Sequence, residues 1–467
     1  MTKKLITTTL ILALVCFILL FVGHGCGNGP SEGQGSPNDT TKYVFQSVND
    51  SANGWNVLFQ PGSTFAEREA TILHLEANIR ALYKAHPEYT FHFKAVYCPC
   101  DSLLTNLTYS ILGGVGQSVT PPPKQNPPPG AQGDPIATVT YNNSIASDKD
   151  TRRLSDTGKK YSPNTVMNVA KGHILAVLDT GLDTAYFSPT IGKMIWQEPG
   201  GRTLYNFLAE PAGDRHTLVD DHPHRHGSFV TALALQAMKG PLYPEIMVLK
   251  VLDANNEGST FTVSCGISYA IQHQATVVNA SLGYFADPSV PPDEVLRHYV
   301  KLTGQAAPHP ILFLAAAGNE PTPPVHAASL LCTPSPPSNY LSKTHEFLPA
   351  CYSTDLTNVL GITGITNLGW PGKLEYGCRY QNYSEKYVSV GVVNRRRCCS
   401  YTAPSFPDVY EGSSFATGVF SGYLLDNMLN HGWDINKPGF LSLKTQKSTL
   451  LSHKTTKDGL YIINPTE

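Results

Sequence analysis

Four short apolar runs constrain this chain most. They are Ile174 to Leu178, Met247 to Leu252, "ATVVNA" leading into Ser281-Leu282-Gly283, and "ILFLAAA" from Ile311 leading into Gly318-Asn319. A strand with one wet face alternates polar and apolar residues, whereas a strand covered on both faces reads as a nearly unbroken apolar run. Between the runs, apolar residues recur at helical spacing, as in Phe229, Val230, Leu233 and Ala237. Strands alternating with such helices predict an α/β fold of three layers, a mainly parallel sheet flanked by helices. Each run stops abruptly at polar or small residues. In such sheets the carboxyl edge of the strands is where ligands bind.

The rest of the 467 residues divides around that core. Lys3 and Lys4 precede the apolar run "LITTTLILALVCFILLFV", the layout of a targeting signal. Residues 1–26 read as a signal peptide and 27–54 as a flexible glycine-rich linker. Gly25-Cys26 resembles a bacterial lipoprotein cleavage site with Cys26 as the lipidated residue, although Gly23 and His24 fit that pattern poorly. Plain secretion and an uncleaved anchor are the alternatives. All three place the body of the protein outside the cytoplasm, whether extracellular, periplasmic or at the cell surface.

Residues 55–112 read as a small α+β module. "WNVLFQ" and "FHFKAVY" are its strands, and Thr64-x-x-Glu67 is a capping box opening a helix to about Lys84. Ile72, Leu75, Ile79 and Leu82 give that helix an apolar stripe. The proline-rich spacer 113–134 follows, and 135–467 forms the large domain. Ten cysteines agree with export. Cys332, Cys351, Cys378, Cys398 and Cys399 fall in loop-rich sequence that gains from cross-links, while Cys98-Pro99-Cys100 lacks the second pair of a zinc site and reads as structural or free thiols.

Chemistry-bearing residues cluster where the strands end. Asp179 closes the first run and can orient a histidine. In "DDHPHRHGS", His226 stands at a helix start, whereas His222 and His224 lie in a proline-interrupted loop and read as solvated. A zinc site built from Asp221, His222, His224 and His226 is the competing reading, but no H-E-x-x-H stretch supports it, and no metal ligand is assigned. Asn319 carries an amide NH2 able to donate to an oxyanion. Ser413 and Ser414 begin a helix, whose N-terminus favours negative charge. Taken singly, each residue also has an ordinary structural role in a turn or cap.

Taken in order, Asp179, His226 and Ser414 form the Asp…His…Ser sequence of one of three unrelated serine-hydrolase orders. The G-x-S-x-G elbow of α/β-hydrolases fails because Ala416 stands at its second glycine. The segments "AVLDTGLD", "HGSFVTA", "AAAGNE" and "GSSFATG" resemble the aspartate, histidine, oxyanion and serine motifs of subtilisin-like serine proteases, the subtilase family. The resemblance runs from about Asp134 to the C-terminus. It implies catalytic roles for Asp179, His226 and Ser414, with Asn319 in the oxyanion hole. "KVLDANNEGS" and "NASLG" resemble the segments that flank an extended substrate, which implies contacts from Gly258, Ser259, Ser281, Leu282 and Gly283.

Departures are visible too. Ser413 replaces a threonine, Phe415 a methionine, Gly418 a proline and Ser228 a threonine, and Glu320-Pro321 follows Asn319 where a glycine is usual. The resemblance implies an endopeptidase acting on proteins or peptides through an acyl-enzyme, with no cofactor in catalysis. Structural calcium is a family habit, but nothing here has EF-hand spacing. A net charge of −2 gives no footprint for nucleic acid, and the membrane is reached only through the N-terminal lipid or anchor. Residues 55–112 would then be a prosegment or an accessory module. A non-catalytic binding protein on a protease fold is the alternative function.

Overall fold

A computed structural model describes residues 54–112, 137–146, 151–152, 168–201, 203, 205–208, 214–290, 292–320, 337–366, 376–378, 381–394, 400–403, 406, 409–434, 446–447, 456 and 460–465. The signal peptide with Cys26, the 27–54 linker but for its last residue, the 113–134 spacer, Cys332, Cys398 and Cys399 lie outside the described residues. Among the described residues no helix is long and apolar enough to cross a membrane.

The chain first forms β1 (Gly54–Phe59), α1 (Phe65–Leu82), β2 (Thr90–Cys98), β3 (Asp101–Leu112) and, after the spacer, β4 (Ala137–Tyr141). These strands make one antiparallel sheet in the order β2-β3-β1-β4. The capping box is present: the Thr64 amide donates to the Glu67 carboxylate at 2.7 Å, and the Glu67 amide to the Thr64 hydroxyl at 3.3 Å. Ile72, Leu75 and Ile79 pack α1 against Trp55, Val57, Phe59, Leu107 and Val139. Leu82 departs from the expected stripe, being 47% exposed. It stays angularly in line with Leu75, so its exposure comes from sitting at the helix end. A second departure is the boundary at 135. Strand β4 pairs with β1, so 137–141 completes the module's sheet instead of opening the large domain.

Strand β5 (Ser144–Ala146) follows β4, and the large domain then supplies β6 (Asn168–Asp179), α2 (His226–Ala237), β7 (Leu242–Lys250), β8 (Glu257–Ser259), α3 (Thr260–Gln272), β9 (Val277–Ala280), α4 (Glu294–Thr303), β10 (Leu312–Ala316), β11 (Val359–Thr366), β12 (Val390–Asn394), α5 (Ser413–His431) and β13 (Leu460–Ile463). Seven of these strands run parallel in the order β13-β12-β11-β10-β9-β6-β7. From β6 the chain steps outward to β7, then returns to β9 on the other flank of β6. That reversal is a switch point, and it opens a crevice at the carboxyl ends of β6 and β9.

Alternate residues of each strand feed opposite layers, as the period of two requires. Ala176, Leu178, Val278, Ala280, Phe313 and Ala315 face one core with Ile267 of α3 and Val295, Leu296 and Tyr299 of α4. Leu175, Val177, Val277, Leu312 and Leu314 face the other, against Phe229 and Leu233 of α2 and Val419 and Phe420 of α5. Both faces are covered, so the strands need no polar alternation.

Helices α2 and α5 approach closely at Gly422, where a Cβ would lie 1.8 Å from the Ala234 carbonyl oxygen. Gly422→Ala must therefore push two helices apart. It is expected to destabilise the domain by about 1–3 kcal/mol, read as a lower urea midpoint at unchanged m-value. A midpoint equal to that of the parent would contradict this packing.

The module rests on α3 and α4. Leu58, Cys98 and Leu104 belong to the same core as Ile267 and Tyr299. Asn56 Nδ2 donates to Thr260 Oγ1 at 2.8 Å, Thr140 Oγ1 to Asp293 Oδ1 at 3.1 Å, and Ser268 Oγ and Tyr299 Oη to Asp101 Oδ2 at 3.0 and 2.7 Å. Strand β1 is thus buried along its whole length, one face on α1 and the other on the large domain.

Candidate active site

Strand β6 delivers Asp179 to the switch point, and its side chain is 1% exposed. Its Oδ1 accepts from the Thr180 amide at 2.8 Å and lies 2.7 Å from His226 Nδ1. A carboxylate on Nδ1 fixes the tautomer with the proton on that nitrogen and leaves Nε2 as the base. His226 is the first residue of α2, as its sequence position suggested. The close fit needs Gly227: a Cβ there would meet the Gly181 carbonyl oxygen at 2.5 Å and the Asp179 Cβ at 3.0 Å.

Helix α2 has no cap of its own. Arg225 precedes it with φ 53° and makes no side-chain capping bond. Remote residues take the first amides instead: Gly227 donates to Thr180 Oγ1 at 2.9 Å, and Ser228 donates to Asp220 Oδ2 from both its amide (2.9 Å) and its hydroxyl (2.7 Å). Asp220 was not singled out in the sequence, where the only hint was its place beside Asp221. Burial raises its pKa, and the bonds from Ser228 oppose that shift.

The histidine-rich stretch is split among different partners. Asp221 pairs with Lys250 Nζ at 2.7 Å, while His226 goes to Asp179. Among the described residues, no three His, Cys, Asp or Glu side chains are grouped to hold a metal ion. The reading of His222 as a solvated loop residue fails. It is 8% exposed, and its ring lies 6.5 Å from that of His226. Burial, followed by the nearby His226, lowers its pKa to about 4. It remains neutral beside the catalytic candidate. The loop packs inward because its backbone is tied down, Asp220 Oδ1 accepting from the His222 amide at 3.3 Å.

Gly412 is the N-cap of α5, so Ser413 and Ser414 occupy its first two positions instead of capping it. The Ser414 hydroxyl donates to the Ser281 carbonyl at 2.9 Å, and the Ser281 hydroxyl donates back to the Ser414 carbonyl at 2.9 Å. This reciprocal clamp ties the helix start to the end of β9. Phe415 explains one departure noted above: its ring packs 5.1 Å from His226 and 5.2 Å from Phe229, forming a wall for the imidazole. Ser413 keeps the hydroxyl that a threonine would bring. Its hydroxyl accepts from the Gly318 amide at 2.9 Å, and its amide donates to Asn319 Oδ1 at 3.1 Å. With Oδ1 so occupied, the buried Asn319 Nδ2 has no partner among the described residues. It is a donor held ready at the crevice.

The predicted substrate contacts also have a partner. Strand β5 pairs antiparallel with β8, Ser144 opposite Ser259 and Ile145 opposite Gly258. On its other side, Ala146 exchanges backbone hydrogen bonds with Gly283 at 3.1 and 3.0 Å. An extended piece of the chain thus threads between the two segments expected to hold a substrate peptide, with Ile145 fully buried. Leu282 differs from the other four, because its side chain lies in the core.

The sequence model of the subtilase family matches residues 170–461. The chain belongs to the subtilase family. It is a serine-type endopeptidase whose substrates are peptides or proteins. Among solved structures, a cold adapted subtilisin-like serine proteinase matches at 18% identity and TM-score 0.42, over 68% of this chain and 96% of that one. Among curated proteins nothing matches. In this subtilase the matched region begins beyond the module, so β1 to β5 lie outside it.

Proposed function

We propose that this subtilase is an exported endopeptidase in which Ser414 is the nucleophile, His226 the general base and acid, and Asp179 the group that orients the imidazole. The single observation that carries this reading is the buried 2.7 Å contact between Asp179 and His226, beside the helix that presents Ser414. The serine attacks the peptide carbonyl, His226 takes its proton and returns it to the leaving amine, and Asp179 stabilises the imidazolium between the two steps. In the resting geometry the hydroxyl points at the Ser281 carbonyl, so it rotates toward the imidazole before attack. The Asn319 side chain and the Ser414 amide would receive the oxyanion, one such donor contributing about 3 kcal/mol.

Residues 54–146 act in this reading as a prosegment whose last strand lies in the cleft in place of a substrate. That arrangement keeps the enzyme latent until the strand leaves. Gly258, Ser259, Ser281 and Gly283 then hold the extended substrate by backbone pairing. Export is supported by the N-terminal basic and apolar pattern and by the disulfide at Cys378. Lipidation at Cys26 would hold the enzyme at the cell surface.

A fluorophosphonate probe tests the nucleophile directly. Labelling at Ser414, found by peptide mass once the cleft has been vacated, is the expected result. A folded sample lacking residues 54–146 that never reacts would instead assign the binding role of a silent protease fold.

A further inference from the structure

Three thiols meet where the N-terminal module touches the catalytic domain. Cys98 ends β2 and Cys100 follows it in the turn before β3, while Cys265 lies in α3. The sulfurs of Cys98 and Cys100 are 3.6 Å apart, and Cys100 Sγ is 3.6 Å from the Cys265 carbonyl oxygen. Cys98 and Cys265 lie in one buried core, and each thiol influences the other electrostatically. Both are buried, at 4% and 1% exposure, whereas Cys100 is half-buried and reaches the boundary with solvent.

We propose that this trio is a redox clasp that, once oxidised to a Cys98–Cys265 disulfide, fastens the module to the catalytic domain. The proposal rests on the reading above that the enzyme is latent while strand β5 lies in its cleft. The oxidant is a small-molecule disulfide of the glutathione type. Cys100, the exposed member, attacks it and releases one small thiol, leaving a mixed disulfide. Cys98 then attacks the Cys100 sulfur and expels the second small thiol. Cys265 finally attacks Cys98 and returns Cys100 to its thiol. Two protein thiols have lost two electrons, and the small disulfide has become two thiols carrying the two protons.

The surroundings favour this order. Burial raises the pKa of Cys98, but the neighbouring Cys100 and Cys265 outweigh it and hold the thiol below its ordinary value. Burial, and then Cys98, push Cys265 in the opposite direction. The attacking form therefore gathers on the module side. Helix α3 begins directly after β8, so the clasp and the cleft strand are joined through one rigid element. A subtilase clasped in this way would keep its prosegment even after the connecting chain is cut.

Full-length Ser414→Ala protein, equilibrated with oxidised or reduced glutathione and trapped with N-ethylmaleimide, tests the bond by non-reducing tryptic mapping. The expected product joins the Cys265 peptide to the one holding Cys98 and Cys100, in the oxidised sample only. That link should form at least tenfold more slowly in Cys100→Ser, which lacks the entry thiol, and vanish in Cys98→Ser. Three alkylated thiols, or a Cys98–Cys100 bond alone, would overturn the proposal. With Ser414 intact, oxidation should lower hydrolysis at least tenfold relative to the reduced sample, and Cys265→Ser should remove the difference while retaining Cys378. Equal activities with the link formed would also overturn the clasp. Hydrolysis missing from every sample would count against the assigned nucleophile instead, and the map would still decide the bond.

Discussion

Replacing Ser414 by alanine should lower kcat on a denatured protein substrate by on the order of 10⁶, the loss known for the nucleophile of subtilisin, a member of the same family. The loss is so large because the hydroxyl is the atom that forms the acyl bond. The fold should hardly notice. Among the described residues the Ser414 hydroxyl makes one hydrogen bond, to the Ser281 carbonyl, and the returning bond from Ser281 goes to the Ser414 backbone, which alanine keeps. The variant should therefore unfold within about 1 kcal/mol of the parent, the scale of one lost hydrogen bond. If the prosegment is removed by the enzyme itself, the same variant should also retain residues 54–146, readable as intact mass. Wild-type hydrolysis by Ser414→Ala would move the nucleophile elsewhere.

Asp179→Asn should cost about 10⁴ in kcat, the size seen when the acid of a serine-protease triad elsewhere is neutralised. The hydrogen bonds at this carboxylate explain why an amide cannot serve. Oδ1 accepts from the Thr180 amide and from His226 Nδ1, while Oδ2 is buried with no partner among the described residues. An asparagine with its oxygen at the first site buries an NH2 group that has nothing to receive it. Flipped, it turns that NH2 toward Nδ1 and forces the proton onto Nε2, where the base must be free. Either orientation also removes the negative charge that stabilises an imidazolium 1% exposed to water. Steady-state kinetics of the variant, with stability followed in parallel, is the check. A rate within tenfold of the parent would remove Asp179 from the mechanism.

The strand runs and helical stripes were legible because burial on both faces leaves a mark on local composition. Asp179, His226, Asn319 and Ser414 were legible for a related reason: Asp179 and Asn319 lie where a strand run stops, His226 and Ser414 where a helical stripe starts, and the order of the triad candidates excluded the competing hydrolase architectures. The departures could be seen but not explained. Ser413 keeps the hydroxyl of the threonine it replaces and holds it on the Gly318 amide, while Phe415 makes sense once its ring is found against His226. Leu82 belongs to the stripe by angle and lies outside it by position, a distinction that periodicity does not carry. His222 looked like a loop residue and is buried, because burial is set by what packs over a segment and not by the segment alone.

Strand β4 shows the limit most clearly. "ATVTY" follows a long proline-rich spacer, which points it forward to the large domain, whereas its hydrogen bonds run back to β1. The three thiols make the same point, since nothing local links Cys98 to Cys265 across 167 positions (265 minus 98). Local order along the chain therefore determined the layered sheet and the family. Tertiary structure decided which distant segments share a surface: the cap that Asp220 gives α2, the strand that threads between Gly258 and Gly283, and the gathering of Cys98, Cys100 and Cys265 at the module's boundary. The physical reason is that periodicity and motif spacing act over a few residues, while contacts between remote segments form only when the whole chain closes on itself.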